Sequence, residues 1–176
     1  LHNLDQIRRL DVRIGDTVIL QKAGDIIPEV VQVLPKLRTG QERVFHMPSR
    51  CPVCGSKVVQ GEGEVAHYCS NPKCYAQQLE RLQHFVAKNA FDIEGLGPNI
   101  LELLWNADLI RDPADLFRLT RQDLEPLERF AEKSAQNLVE SIAAAKSVTL
   151  ARFIISLGIR HVGEETAHDL ARNFDT

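Results

Sequence analysis

Four cysteines lie between positions 51 and 74 in two close pairs: Cys51-Pro-Val-Cys54, then fourteen residues, then Cys69-Ser-Asn-Pro-Lys-Cys74. Two short-spaced thiol pairs on separate turns can supply the four soft ligands that zinc takes in a tetrahedron. Gly55 follows the first pair, where a tight knuckle favours a residue tolerant of positive φ. Four thiolates leave no open coordination position, so this pattern predicts a structural rather than a catalytic zinc. Reduced buried thiols or a redox pair are the alternatives. A disulfide scaffold normally spreads its cysteines across the fold, so clustering points to metal and a reducing compartment. His46 and His67 lie nearby and are read as surface or packing residues, because the cysteines already complete the shell.

A second pattern recurs three times. Leu96-Gly97-x-x-x-Leu101-x-x-Leu104 matches Phe130-Ala131-x-x-x-Ala135-x-x-Leu138, and both match Val162-Gly163-x-x-x-Ala167-x-x-Leu170. The unit reads as helix, short turn, helix, with a small residue opening the second helix. Gly95-Leu96-Gly97 is the clearest copy. Free N–H groups at such a helix start can hold an anion, phosphate above all. Glycines that merely let helices pack are the alternative. Tetratricopeptide repeats have a similar period, but their Trp/Leu/Gly/Tyr pattern is absent. If the hinge needs a left-handed backbone, Ala131 costs about 1 kcal/mol there and the middle copy bends differently.

A third feature is Lys22-Ala-Gly-Asp-Ile26-Ile27-Pro28. On composition it reads as a hairpin turn with core isoleucines. An apolar pair beside a lysine could also wedge into a minor groove. No Gly-x-x-x-x-Gly-Lys-[Ser/Thr] loop and no Lys-x-Asp-Gly string is present, and the histidines and carboxylates show no acid–base spacing.

The elements that must position these residues fall into three stretches. Residues 1–50 read as β, from Thr17–Leu20 and Glu29–Leu34, with Gly24-Asp25 as turn chemistry and Pro35 to Pro48 as a polar connection. They look like the last part of a β-domain. After the cysteine module everything reads as helix, in lengths of 8–15 residues. Expected apolar stripes are Leu79/Leu82/Val86/Ala90, Ala135/Leu138/Val139/Ile142, Leu150/Phe153/Ile154/Leu157 and Ala167/Leu170/Ala171/Phe174. Asp112-Pro113 and Thr120-x-x-Asp123 mark helix starts.

Charge is uneven across these stretches. The first 50 residues carry eight Lys/Arg and six Asp/Glu, the last 101 eleven and sixteen, within an overall net charge of -3. An acidic helical part excludes nucleic-acid binding by bulk charge, though not by local backbone contacts. No apolar run is long enough to span a membrane. The chain opens Leu1-His2-Asn3, without Met or a signal peptide, and is read as a piece of a longer protein.

Taken together these strings resemble the NAD-dependent bacterial DNA ligases, over essentially all positions. The resemblance rests on Leu1-His2-Asn3, Arg13-Ile14-Gly15-Asp16, Lys22 to Pro28, Cys51-Pro-Val-Cys54-Gly55, His84-Phe85-Val86, Ala114-Asp115-Leu116-Phe117, Lys133-Ser134-Ala135-Gln136-Asn137 and Leu157-Gly158-Ile159-Arg160-x-Val162-Gly163. It implies a multidomain chain: the end of a β OB-fold (1–48), a four-cysteine zinc finger (49–75), and an all-α helix–hairpin–helix bundle (76–176) lacking a fourth hairpin. It implies a clamp on nicked double-stranded DNA, working as a cytoplasmic monomer without membrane contact. DNA contacts would come from Lys22, Ile26, Ile27, Gly95, Gly97, Lys133, Arg160 and Gly163. The adenylated lysine, NAD and Mg2+ would belong to the parent enzyme, upstream of Leu1, so this stretch alone should not ligate. A fourth hairpin and a BRCT domain would follow Thr176. The family usually has glycine where this chain has Ala131, which puts that contact in doubt. A zinc-plus-helical protein adaptor, or the zinc-bearing tail of another DNA enzyme such as a topoisomerase, are the rival readings.

Overall fold

A short helix opens the described chain. In the computed structural model, which describes residues 3–24 and 27–174, α1 spans Leu4–Leu10. It is an element that the reading of residues 1–50 as β did not include. Its signals are local: the Asn3 side chain accepts from the Gln6 N–H at 2.9 Å, and Asp11 ends the helix in a left-handed conformation. The strands then follow as β1 (Arg13–Ile14), β2 (Val18–Ala23), β3 (Ile27–Val33) and β4 (Arg43–Val44). β2 and β3 form an antiparallel hairpin with a bulge at Ile19/Leu20, and β1 pairs with β4. The expected polar connection after Pro35 therefore contains a 3-10 turn, Pro35–Leu37, and a strand. Gly24 takes a left-handed φ of 64° after β2, as turn chemistry requires.

One cation ties this part together. Arg38 donates to the Asp16 carboxylate at 2.7 and 2.8 Å, to the Asp11 carboxylate at 3.0 Å and to the Asp11 carbonyl. The Asp16 side chain is 1% exposed. The Arg38 hydrogen bond, aided by the Arg13 N–H, holds the Asp16 carboxyl down at about 2. A carboxyl depressed in the fold stabilises it above its unfolded value of about 4. That contribution is lost as pH falls through about 2. Replacing Arg38 with Met is expected to raise the pH midpoint of acid unfolding, followed by circular dichroism of the β-signal. An unchanged midpoint would show the pair to be inert.

β5 (Val58–Gln60) and β6 (His67–Cys69) make the small hairpin of the cysteine module. The chain divides into two compact units, Leu1–Pro72 and Lys73–Thr176.

The second unit is helical: α2 (Tyr75–Val86), α3 (Pro98–Asn106), α4 (Pro113–Leu116), α5 (Arg121–Leu124), α6 (Glu132–Ala144), α7 (Leu150–Ser156) and α8 (Glu164–Asn173). Its core gathers Leu82, Phe85, Leu101, Leu104, Leu116 and Leu138. The Asp112 carboxylate caps Ala114 and Asp115, and Asp115 returns the bond to the Asp112 N–H. The Asp123 carboxylate accepts from the Thr120 N–H at 2.9 Å. Both predicted starts are therefore real, but α4 and α5 are only four residues each, shorter than expected.

Three of the expected stripes need correction. Ala90 is buried, yet it lies past the end of α2. In α7 the buried face is Ala151 and Ile155, while Phe153 and Leu157 are 44% and 53% exposed. Ile155 packs with Ala90 and Ala167, small residues that admit a close approach and so favour that face over the bulkier one. Phe174, expected on the buried stripe of α8, is likewise exposed.

Candidate functional site

The cysteine pairs are built by backbone turns. The Gly55 N–H donates to the Cys51 carbonyl at 2.9 Å and the Cys51 N–H to the Ser56 carbonyl at 2.7 Å. Gly55 sits at φ 71°, the left-handed value that its place after the knuckle implied. Cys69 ends β6, its sulfur accepting from the Asn71 N–H at 3.5 Å, and Cys74 caps α2. The four Sγ atoms lie within 4.8 Å of one another, and those of Cys54 and Cys69 are 3.4 Å apart. A tetrahedron with zinc–sulfur bonds of about 2.3 Å places its sulfurs roughly 3.8 Å apart, whereas a disulfide needs about 2.05 Å. The donor set therefore fits one four-thiolate zinc and no disulfide. The N–H groups of Cys54 and Val53 hold the Cys51 thiol below its ordinary range, which favours the thiolate a metal needs. His46 and His67 are not members of the sulfur cluster.

The three repeated units share a backbone as well as a sequence. Gly97, Ala131 and Gly163 are the N-caps of α3, α6 and α8. In each unit a turn precedes the cap: Leu96, Phe130 and Val162 donate to the carbonyls of Ile93, Leu127 and Ile159. Leu101, Ala135 and Ala167, one turn into each helix, are all fully buried.

The hinge positions are not left-handed. Their φ values are -70°, -112° and -88°, ordinary extended caps, so Ala131 carries no left-handed strain. The left-handed residue is two positions earlier in every copy: Gly95 at 88°, Arg129 at 72° and His161 at 66°. Sequence reasoning missed Arg129 and His161. Their alignment with Gly95 two places before each cap was the available signal.

The helix starts differ in charge. α3 has no acid in its first turn, whereas α6 has Glu132 and α8 has Glu164 and Glu165. Glu132 pairs with Arg121 at 3.0 Å, and the Ser134 hydroxyl accepts from the Ala131 N–H at 2.8 Å. Carboxylates at a helix N-terminus already satisfy its positive end. An anion is thus best accommodated at α3, where a methyl added at Gly97 would meet nothing within 4 Å and the approach to the backbone is open.

The remaining candidates are dispersed. Lys22 is exposed on β2 opposite Pro28, and Ile27 opens β3 with 69% of its surface exposed, so it is not a core residue. Ile26 lies outside the described residues. Gly95 sits in the turn before α3, Lys133 in the first turn of α6, and Arg160 in the exposed turn between α7 and α8. Lys22 and Ile27 belong to the first unit, and Gly95, Gly97, Lys133, Arg160 and Gly163 to the second.

Comparison with known proteins follows the same three stretches. Residues 1–42 match the NAD-dependent DNA ligase OB-fold domain, residues 50–76 its C4 zinc finger domain, and residues 152–176 the helix-hairpin-helix motif. The DNA ligase of Desulfitobacterium hafniense is 53% identical over 176 residues, all of this chain and 27% of that protein. The DNA ligase of Pelotomaculum thermopropionicum is 54% identical and that of Bacillus cereus 53%, each over all of this chain and 26% of the relative. The chain thus spans about a quarter of the length of the curated relatives it matches. No helix among the described residues is long and apolar enough to cross a membrane. Over its whole length the chain is thus similar to DNA ligases, and its first 42 residues and its zinc finger stretch match domains of the NAD-dependent DNA ligase family.

Proposed function

We propose that this chain is the DNA-binding and clamping region of an NAD-dependent ligase that seals nicks in duplex DNA. The observation that carries the reading is the match of the whole chain, at 53% identity, to proteins named DNA ligase. The working division is an OB-fold part over 1–48, a zinc finger over 49–75 and a helix–hairpin–helix part over 76–176. In the parent enzyme NAD supplies AMP to a lysine and then to the 5′-phosphate, with release of nicotinamide mononucleotide. The 3′-hydroxyl displaces AMP, and Mg2+ assists. None of these steps is assigned to the residues of this chain.

Its own part is to hold the duplex. Lys22, Ile26 and Ile27 would meet the groove, while Gly95, Gly97, Gly163, Lys133 and Arg160 would meet phosphates through the helical turns. A clamp of this kind works as a monomer in the cytoplasm of a bacterium. It needs few net positive charges because backbone N–H groups supply the contacts. A protein adaptor is disfavoured by the ligase-specific matches to the first 42 residues and to the zinc finger.

The chain is expected to bind nicked duplex with an affinity that falls log-linearly with salt. It is also expected to gain no AMP when incubated with NAD and Mg2+. Fluorescence anisotropy at several salt concentrations and mass spectrometry measure the two. Salt-independent or absent duplex binding sinks the clamp, and an adduct on any lysine sinks the division of labour.

A further inference from the structure

We infer that a pocket in the first unit, lined by Arg8, His46 and His67, is a binding site for a phosphate group. The pocket has a volume of about 550 Å3. Arg8 reaches it from the last turn of α1, His46 from the stretch after β4, and His67 from the first position of β6. Ser49 adds a hydroxyl, and Phe45 and Met47 form an apolar wall. Among the described residues no carboxylate lines it.

The three basic side chains are not spent elsewhere. Among the described residues none of them has a salt-bridge partner or a side-chain hydrogen bond. This contrasts with Arg38, whose guanidinium is fully committed to Asp11 and Asp16. His67 is held in place by the strand pairing of Gln60 with it, and the four thiols leave it no place at the metal. Arg8 is positioned by a helix capped at both ends.

The chemistry of the lining selects the ligand. A guanidinium offers a fork of N–H donors that matches two phosphate oxygens, and imidazole N–H groups and a hydroxyl add single donors. A bare phosphate does not fill a pocket of this volume. Sites for small ligands span about 300–1,000 Å3, and the apolar wall suits the sugar or base attached to the phosphate. Two sources share this chemistry: a phosphodiester of a DNA strand, or the phosphate of a free mononucleotide. The strand source rests on the clamp reading, and the mononucleotide source does not.

The test uses the full chain. Nicked duplex and AMP are titrated separately into the parent and into the double variant Arg8→Gln/His46→Gln, with zinc content and circular dichroism confirming the fold. If a strand supplies the phosphate, duplex affinity falls about threefold to tenfold in the variant, and the log–log salt slope drops by about 1. If a mononucleotide supplies it, amide resonances of Arg8, His46, Ser49 and His67 shift with AMP in the parent and not in the variant. If the variant matches the parent toward both, the pocket is not a phosphate site. A parent that binds no duplex removes the clamp reading, and the AMP arm then still decides the pocket.

Discussion

Stripping the metal is expected to unfold residues 51–75 while the helices of the second unit keep their circular dichroism. The module has almost no core of its own. Among its apolar side chains Val53 and Val65 are more than half exposed, and the buried ones are Cys51 and Cys74, which are zinc ligands by this reading. A hairpin of three-residue strands does not hold itself together in water. Metal binding must therefore supply most of the folding free energy, on the order of 10 kcal/mol. The helices rest instead on Leu82, Leu101, Leu104, Leu116 and Leu124, all essentially inaccessible to solvent. Amide resonances of residues 51–75 should collapse toward random-coil shifts on adding chelator, and recover on returning zinc. Replacing Cys54 with Ala should mimic chelation. Purified chain holding well under one zinc per molecule, with no chelator added, contradicts the assignment.

The glycines of the helical turns should separate into two kinds when changed to alanine. Gly95 has φ 88°, and a methyl there meets Leu138 Cδ1 at 3.4 Å. Left-handed backbone costs an L residue about 1–2 kcal/mol, so Gly95→Ala should lower the unfolding midpoint clearly. Gly97 and Gly163 have extended backbones and nothing within 4 Å of an added methyl. Their alanine variants should keep normal helix content and lose only the few tenths of a kcal/mol to about 1 kcal/mol by which alanine is the poorer cap. Binding should separate them differently. A methyl at either cap stands between backbone amides and a phosphate, so both variants should weaken duplex affinity. Gly97→Ala should do so more, because α8 already carries Glu164 and Glu165 in its first turn. Ala131→Gly should leave binding unchanged or improve it. Thermal melts and titration of nicked duplex at fixed salt give the two readouts. If Gly97→Ala and Gly163→Ala both bind like the parent, the turns serve packing alone.

Much of this architecture is visible in the residues, and what is hidden has physical reasons. The zinc site is legible because its chemistry demands four thiols at short spacing, a clustering that a disulfide scaffold spread across a fold does not produce. The repeat is legible because Leu101, Ala135 and Ala167 must be small or apolar to sit fully buried at equivalent depth. The left-handed residues are harder to find, since Arg129 and His161 give no local sign of φ 72° and 66°. Only the hydrogen-bonded turn around them enforces it. α1 is hard to see because its evidence is a single cap, Asn3, ahead of a seven-residue helix too short to show a full stripe. The buried face of α7 escapes periodicity, which weighs Phe153 above Ala151, whereas close packing against Ala90 and Ala167 rewards the smaller residue.

Arg152 shows another kind of dependence. From α7 its Nε donates to the Ala90 carbonyl at 2.6 Å and its Nη2 to the Lys88 carbonyl at 2.7 Å, and the His84 ring meets the Ile155 carbonyl at 2.7 Å. In each contact one side is a side chain and the other is main chain. Main-chain oxygens are the same whatever residue carries them. Lys88 is thus free to drift through evolution without breaking the bond, whereas position 152 tolerates nothing that lacks two parallel donors. Ala90 is restrained by its buried volume rather than by the bond it accepts. Variation among descendants of this sequence should therefore be lopsided across the contact, with residue 88 changing freely opposite a fixed arginine.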